Sequence, residues 1–220
     1  MGVSDRGDLV RLAGLRRDEV RAWRGKNHPG HGRGHGRAER QTGGLTPPFP
    51  RKSTMTEPTW LTAGRAKLGV REAPGPANNP TIMGWAKTLG AKVLGIAFNG
   101  DATPWCGLFA AKCVNEVGLA PPPIAIRAKS WATWGKPVAA SALAPGAVLV
   151  FERAGGGHVG FYVGEDATAY HVLGGNQRDA VTIVPIAKGR CIARRWPAGL
   201  PVIGKPVRLA AGPALSVNEA

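Results

Sequence analysis

The spacing of the apolar residues changes near Pro145-Gly146, and this change most narrows the folds open to the chain. Before it, apolar side chains recur every three or four residues, which is typical of helices with one buried face. After it, short apolar runs alternate with turns that contain Gly or Asp, which is typical of antiparallel strands. Helices followed by strands predict an α+β fold, with N-terminal helices leading into an antiparallel β-meander.

The strongest helical pattern begins at Cys106, where apolar residues recur up to Val117 along a single face. Asn79-Pro80 supplies an N-cap followed by a proline at the first helical position. The predicted helices are 60–69, 81–89, 105–117 and 128–134. The predicted strands are 148–151, 158–163, 169–173, 181–184 and 191–194.

Positive charge is concentrated near the N-terminus. The whole chain of 220 residues has a net charge of +15, and residues 1–54 hold 12 Lys/Arg against 5 Asp/Glu. The stretch 25–37 is rich in Gly, His and Arg, has no apolar period and cannot bury a core. We therefore divide the chain into a basic arm (1–56), a globular domain (57–198) and a C-terminal tail (199–220).

Three interpretations of the arm stay open. It binds a polyanion such as nucleic acid or a cell-wall polymer, it is a solvated linker, or it is absent from a mature chain that starts at Met55. No aromatic residue interrupts 25–40, so the arm offers charge without a stacking platform. We expect no nucleic-acid partner unless the arm provides one.

Several protein classes are disfavoured. No apolar run reaches about 18 residues, so no transmembrane helix is predicted. No secretory signal is recognisable, so we expect a cytoplasmic protein that reaches a cell wall only on release. The 3 cysteines cannot build a disulfide framework. The domain lacks CxxC, HxxxH and HExxH motifs, so we expect neither a metal nor another cofactor.

Two residues of the domain suggest nucleophilic chemistry. Cys106 opens a helix, where unpaired backbone N–H groups stabilise a thiolate and an oxyanion. His158 opens a strand and provides a candidate base. A third polar group must orient the imidazole, and both His171 and Asn176 are available. A cysteine on an apolar helix face is usually core packing, which is how we interpret Cys113, and we assign Cys191 to packing as well.

Three sequence blocks carry a family resemblance: D-x-TPWC at 101–106, HVGFYVG at 158–164 and LGGNQ at 173–177. Together with RA-x-SW-x-x-WG at 127–135, they resemble small bacterial and phage proteins of the CHAP/NlpC clan of papain-like cysteine peptidases and amidases. The resemblance covers about 59–197. The clan often has Asp where this chain has Ala147, in the turn before the first core strand.

The resemblance implies a papain-like core and hydrolysis of peptidoglycan amide bonds, often as a phage lysin. It implies that Cys106 is the nucleophile, His158 the base and Asn176 the residue that orients the base, with His171 as the NlpC-type alternative. We expect a monomer that acts on peptidoglycan without a membrane partner. The alternative is a non-catalytic cell-wall-binding or phage structural module with the same fold.

Overall fold

The computed structural model, which describes residues 57–210 and 214–216, has three α-helices ahead of the sheet, as the sequence predicts. They are α1 (Thr59–Arg65), α2 (Pro80–Leu94) and α3 (Cys106–Glu116). The Asn79 side chain caps α2 by accepting the Thr81 N–H at 2.7 Å. The helical conformation of α2 breaks at Gly90, directly after the predicted end. The predicted helix 128–134 is a 3₁₀ helix, Ala128–Thr133, and short 3₁₀ turns span Ala140–Ala142 and Lys188–Arg190.

The strands form one six-stranded antiparallel sheet within the described residues. They are β1 (Lys136–Pro137), β2 (Val148–Arg153), β3 (Gly156–Glu165), β4 (Ala169–Gly174), β5 (Thr182–Ala187) and β6 (Cys191–Trp196). All five predicted strands are present, and the two-residue strand β1 was not predicted. The α+β class is therefore confirmed.

The order of the strands departs from a simple meander. Strands β2 to β5 follow one another, but β6 returns to lie between β1 and β2. The reason lies in β2, where Val148–Phe151 is buried throughout. A central strand of this kind needs hydrogen-bonding neighbours on both sides, and β6 supplies the second one. Sequence order alone does not reveal this return.

The core lies between the helices and one face of the sheet. The predicted apolar face of α3 packs against β3, with the Phe109 and Phe161 ring centroids 5.9 Å apart. Gly64 lets α1 approach closely, since a Cβ there would lie 3.0 Å from the side chain of Leu173. This packing brings the first turn of α3 to the start of β3, where the predicted site residues lie.

The tail forms no helix or strand in 201–210, although it contacts the sheet. The Val207 N–H donates to the Tyr162 hydroxyl at 3.0 Å, and the Leu209 N–H donates to the Glu165 carbonyl at 2.9 Å.

Within the described ranges, no helix is both long enough and apolar enough to cross a bilayer. The predictions for the basic arm fall outside the described residues.

Candidate active site

Cys106 is the first residue of α3, and its neighbours fix its place. Trp105 is fully buried, and its indole N–H donates to the Glu72 carboxylate at 2.7 Å. Gly107 lies against the backbone carbonyls of Ala125 and Ile126, where a Cβ would come within 2.3 Å. Only glycine fits there, so the start of α3 is held tightly against the segment that leads into the 3₁₀ helix.

The loop before α3 is anchored by Asp101, the first residue of the D-x-TPWC block. Its buried carboxylate accepts the backbone N–H of Asn79 at 2.7 Å and that of Ala73 at 3.1 Å. The Asn78 side chain accepts the Asp101 N–H at 2.9 Å in return. Asp101 therefore links the loop to the turn before α2, which is a structural rather than a chemical role.

Cys106 is 4% exposed as a residue, and burial raises the pKa of its thiol above the ordinary value. Backbone N–H groups of Val159, Gly107 and Cys106 act in the opposite direction, as does the charge of Arg153. The helix-start N–H groups thus favour a thiolate as the sequence predicts, but burial outweighs them. The pKa of the thiol is therefore raised on balance, although the N–H groups lower it.

His158 lies on β3 and is fully buried. The Val159 N–H that acts on the Cys106 sulfur belongs to the next residue along the strand, so the thiol lies against β3 beside His158. The imidazole also lies over Gly174, where a Cβ would come within 2.9 Å of its Nε2. The structure therefore gathers Cys106, His158 and the Gly174-Gly175 turn at one end of the sheet.

Gln177 orients the imidazole. His158 Nε2 lies 3.0 Å from Gln177 Oε1, while the Gln177 amide nitrogen donates to the Thr182 carbonyl at 2.6 Å and the Val172 carbonyl at 3.3 Å. Carbonyl oxygens only accept, so these contacts set which way the amide faces. His158 must then donate from Nε2, and the lone pair of the neutral ring resides on Nδ1.

Neither of the two predicted candidates for the third residue makes this hydrogen bond to His158. Asn176, next to Gln177, is 3% exposed, has φ of 58°, and its Oδ1 has no hydrogen-bond partner among the described residues. His171 pairs with Gly164, six residues beyond His158 on β3 and hence roughly 20 Å away. A catalytic role of Asn176 stays a prediction, whereas the observed hydrogen bond belongs to Gln177.

Cys106 lines a cleft of about 640 Å³. Its lining includes the apolar side chains of Ile96, Pro104 and Ile126, and the hairpin that joins β2 and β3 contributes Arg153 and three glycines. The volume falls within the range of sites for small molecules or peptide segments. The nucleophile candidate therefore borders a space that can hold a substrate.

The other two cysteines lie away from this cleft. Cys113 is fully buried on α3, and burial raises its pKa to about 12. Cys191 is half-buried on β6, and burial raises its pKa too. Both environments favour the neutral thiol. Among the described residues, no group of three or more His, Cys, Asp or Glu side chains is arranged to hold a metal ion.

Gln177, Glu72 and Arg153 are the site residues that sequence reasoning missed. Gln177 ends the LGGNQ block, in which the family resemblance assigns the orienting role to Asn176, and the block itself gives no sign of which amide faces the histidine.

No family model matches the chain, and no curated protein sequence matches it either.

Proposed function

We propose that the protein is a cysteine hydrolase with a papain-like core, similar to the CHAP/NlpC clan, that cleaves amide bonds of peptidoglycan. The observation that carries the proposal is the position of the Cys106 thiol, which lines a cleft and lies against β3 next to the His158–Gln177 hydrogen bond. A helix-start thiol beside a histidine held in one tautomer is the arrangement that nucleophilic amide hydrolysis requires.

The first half of the reaction follows from the tautomer. His158 Nδ1 takes the Cys106 proton while the sulfur attacks the amide carbonyl carbon, and Gln177 stabilises the imidazolium through Nε2. The oxyanion accepts a hydrogen bond from the backbone N–H of Cys106. The C–N bond then breaks, the proton on Nδ1 passes to the leaving amine, and a thioester remains.

The second half restores the protein. Water attacks the thioester carbonyl and gives one proton to His158 Nδ1. The C–S bond breaks, the carboxylic acid leaves, and the proton returns to sulfur. Burial raises the pKa of the Cys106 thiol, so His158 is needed to remove its proton.

The decisive experiment compares the wild-type chain with Cys106→Ala on purified cell walls. Loss of turbidity should slow by more than about a thousandfold in the variant, because the covalent step is removed. Cys113→Ala serves as the matched control, since that thiol is buried away from the cleft. Equal clearing by wild type and Cys106→Ala would exclude this proposal.

One observation favours the second candidate, a non-catalytic wall-binding or structural module. The Cys106 thiol is buried and its pKa is raised, as for an inert core cysteine. Iodoacetamide distinguishes the two functions by its rate at each thiol. Faster labelling of Cys106 than of Cys113 or Cys191 supports the hydrolase, whereas labelling at a rate no greater than that of Cys113 supports the binding module.

A further inference from the structure

The cleft beside Cys106 carries an excess of positive charge. Its charged lining residues are Arg127, Lys129, Glu152 and Arg153. Lys129 and Glu152 neutralise each other, with Nζ 2.6 Å from the carboxylate. Among the ion pairs of the described residues, none includes Arg127 or Arg153. The cleft therefore presents two guanidinium groups whose charge is not balanced by a carboxylate of the described chain.

Arg153 lines the cleft and contacts the residues that precede His158. Its Nε donates to the Gly157 carbonyl at 3.4 Å, and its guanidinium carbon lies 3.8 Å from where a Gly156 Cβ would stand. Gly157 directly precedes His158 on β3. The charge of Arg153 also reaches the Cys106 sulfur, where it lowers the pKa of the thiol. A group bound by Arg153 would thus lie close to the reacting carbonyl.

Arg127 lines the same cleft. It is exposed and directly precedes the 3₁₀ helix Ala128–Thr133, on the segment that packs against Gly107. The same segment contributes the apolar side chains of Ile126 and Ala128. The cleft therefore combines an aliphatic surface with two cationic groups, which suits a ligand with an aliphatic part and an anionic part.

We propose that this cleft selects amide substrates that carry a free carboxylate next to the scissile bond, and that Arg153 and Arg127 bind that carboxylate. The inference rests on the proposed hydrolase function and names its specificity-determining residues. A guanidinium group donates two parallel hydrogen bonds to a carboxylate, which a neutral carboxamide cannot match. The aliphatic wall takes the adjacent side chain of the substrate.

The test uses two soluble peptidoglycan fragments that differ only in one group, with the α-carboxyl of the D-glutamyl residue either free or amidated. Wild type should hydrolyse the free acid with a kcat/KM at least about tenfold higher, because a charge-assisted pair is lost on amidation. Arg127→Gln should reduce this preference, mainly through KM, because only Arg153 then remains to bind the carboxylate. Arg65→Gln, which changes net charge equally but lies outside the cleft, should keep it.

A binding measurement separates failure of the inference from failure of the hydrolase. Calorimetry with Cys106→Ala protein should show tighter binding of the free acid than of the amide, with a difference that shrinks at high salt. Preferential binding without turnover by wild type would support the carboxylate site and exclude the hydrolase. Turnover of both fragments at equal kcat/KM would overturn the carboxylate site and leave the hydrolase standing. Absence of both turnover and binding preference would overturn both.

Discussion

Two histidines on neighbouring strands have opposite environments in this protein. His158, on β3, is fully buried and donates to the neutral amide oxygen of Gln177 at 3.0 Å. His171, on β4, lies 2.9 Å from the carboxylate of Asp166 at the turn between β3 and β4. Each ring meets a side chain at Nε2, and the two partners differ in charge, since Gln177 is neutral and Asp166 carries a carboxylate.

Because of this difference, His158 is suited to move protons, whereas His171 stabilises a turn. A neutral amide sets the tautomer of His158 without adding a charge that would keep the ring protonated. The carboxylate of Asp166 instead accepts several donors, and its pKa is lowered chiefly by His171 and further by the N–H groups of Thr168 and Ala169. That network closes the β3–β4 turn. The hydrogen-bond partner of each histidine, and not the strand on which it lies, therefore determines its role.

The largest expected effect comes from replacing each histidine by glutamine. His158→Gln should lower the rate of cell-wall hydrolysis by more than about a thousandfold, because no base remains for the thiol proton. His171→Gln should change it by less than about threefold, since that ring lies roughly 20 Å from His158. Turbidity assays on both variants check this. A similar loss of hydrolysis rate in both variants would show that the two rings do not differ in function.

The next effect concerns the partner of His158. Gln177→Glu places a carboxylate beside the ring, which favours the imidazolium and raises the pKa of His158. The neutral base is then available only at higher pH, so the acid limb of the kcat/KM profile should shift toward higher pH. The shift is measured from a kcat/KM profile over about four pH units, from roughly pH 5 to pH 9, which brackets the ordinary pKa of histidine. Asp166→Asn is the matched control and should leave that limb in place.

A smaller effect distinguishes Gln177 from Asn176. Asn176 has φ of 58°, which glycine adopts readily, so Asn176→Gly should preserve the turn. Gln177→Ala removes the hydrogen bond to His158 and should lower kcat about tenfold to a hundredfold, by analogy with other groups that orient a functional histidine. The loss for Asn176→Gly should be at least about tenfold smaller. A greater loss for Asn176→Gly than for Gln177→Ala would restore Asn176 as the orienting residue.

The smallest effect is on stability and tests the turn around His171. The pKa of Asp166 lies below its ordinary value of 3.8, so its contribution to stability is present above that pH. The contribution is lost as pH falls from 3.8 toward the lower folded-state pKa. Wild type should therefore exceed Asp166→Asn in unfolding free energy near neutral pH, and the gap should narrow in acid. Urea unfolding at several pH values measures it, and a gap that widens in acid would contradict the assignment.

The local elements were predictable because their signals are local. The apolar spacing that begins at Cys106 predicts a helix to Val117, and α3 spans Cys106–Glu116. The turns that bound His158 and the LGGNQ block likewise predict β3 and β4. The place of β6 beside β2 was not predictable, because it depends on which strand leaves a buried edge unpaired. Gln177 was missed for a similar reason, since its amide faces His158 only after the chain turns at Asn176.

The sequence by itself determined the α+β order of elements. It also placed Cys106 at the start of a helix and His158 near the start of a strand. These features follow from apolar periodicity and turn residues, which act over a few neighbouring positions. Only the tertiary structure decided that Gln177 holds His158, that burial outweighs the helix-start N–H groups at the thiol, and that Arg127 and Arg153 share a cleft with it. Hydrogen-bond direction, desolvation and local charge depend on atoms from distant segments, and folding alone brings those segments together.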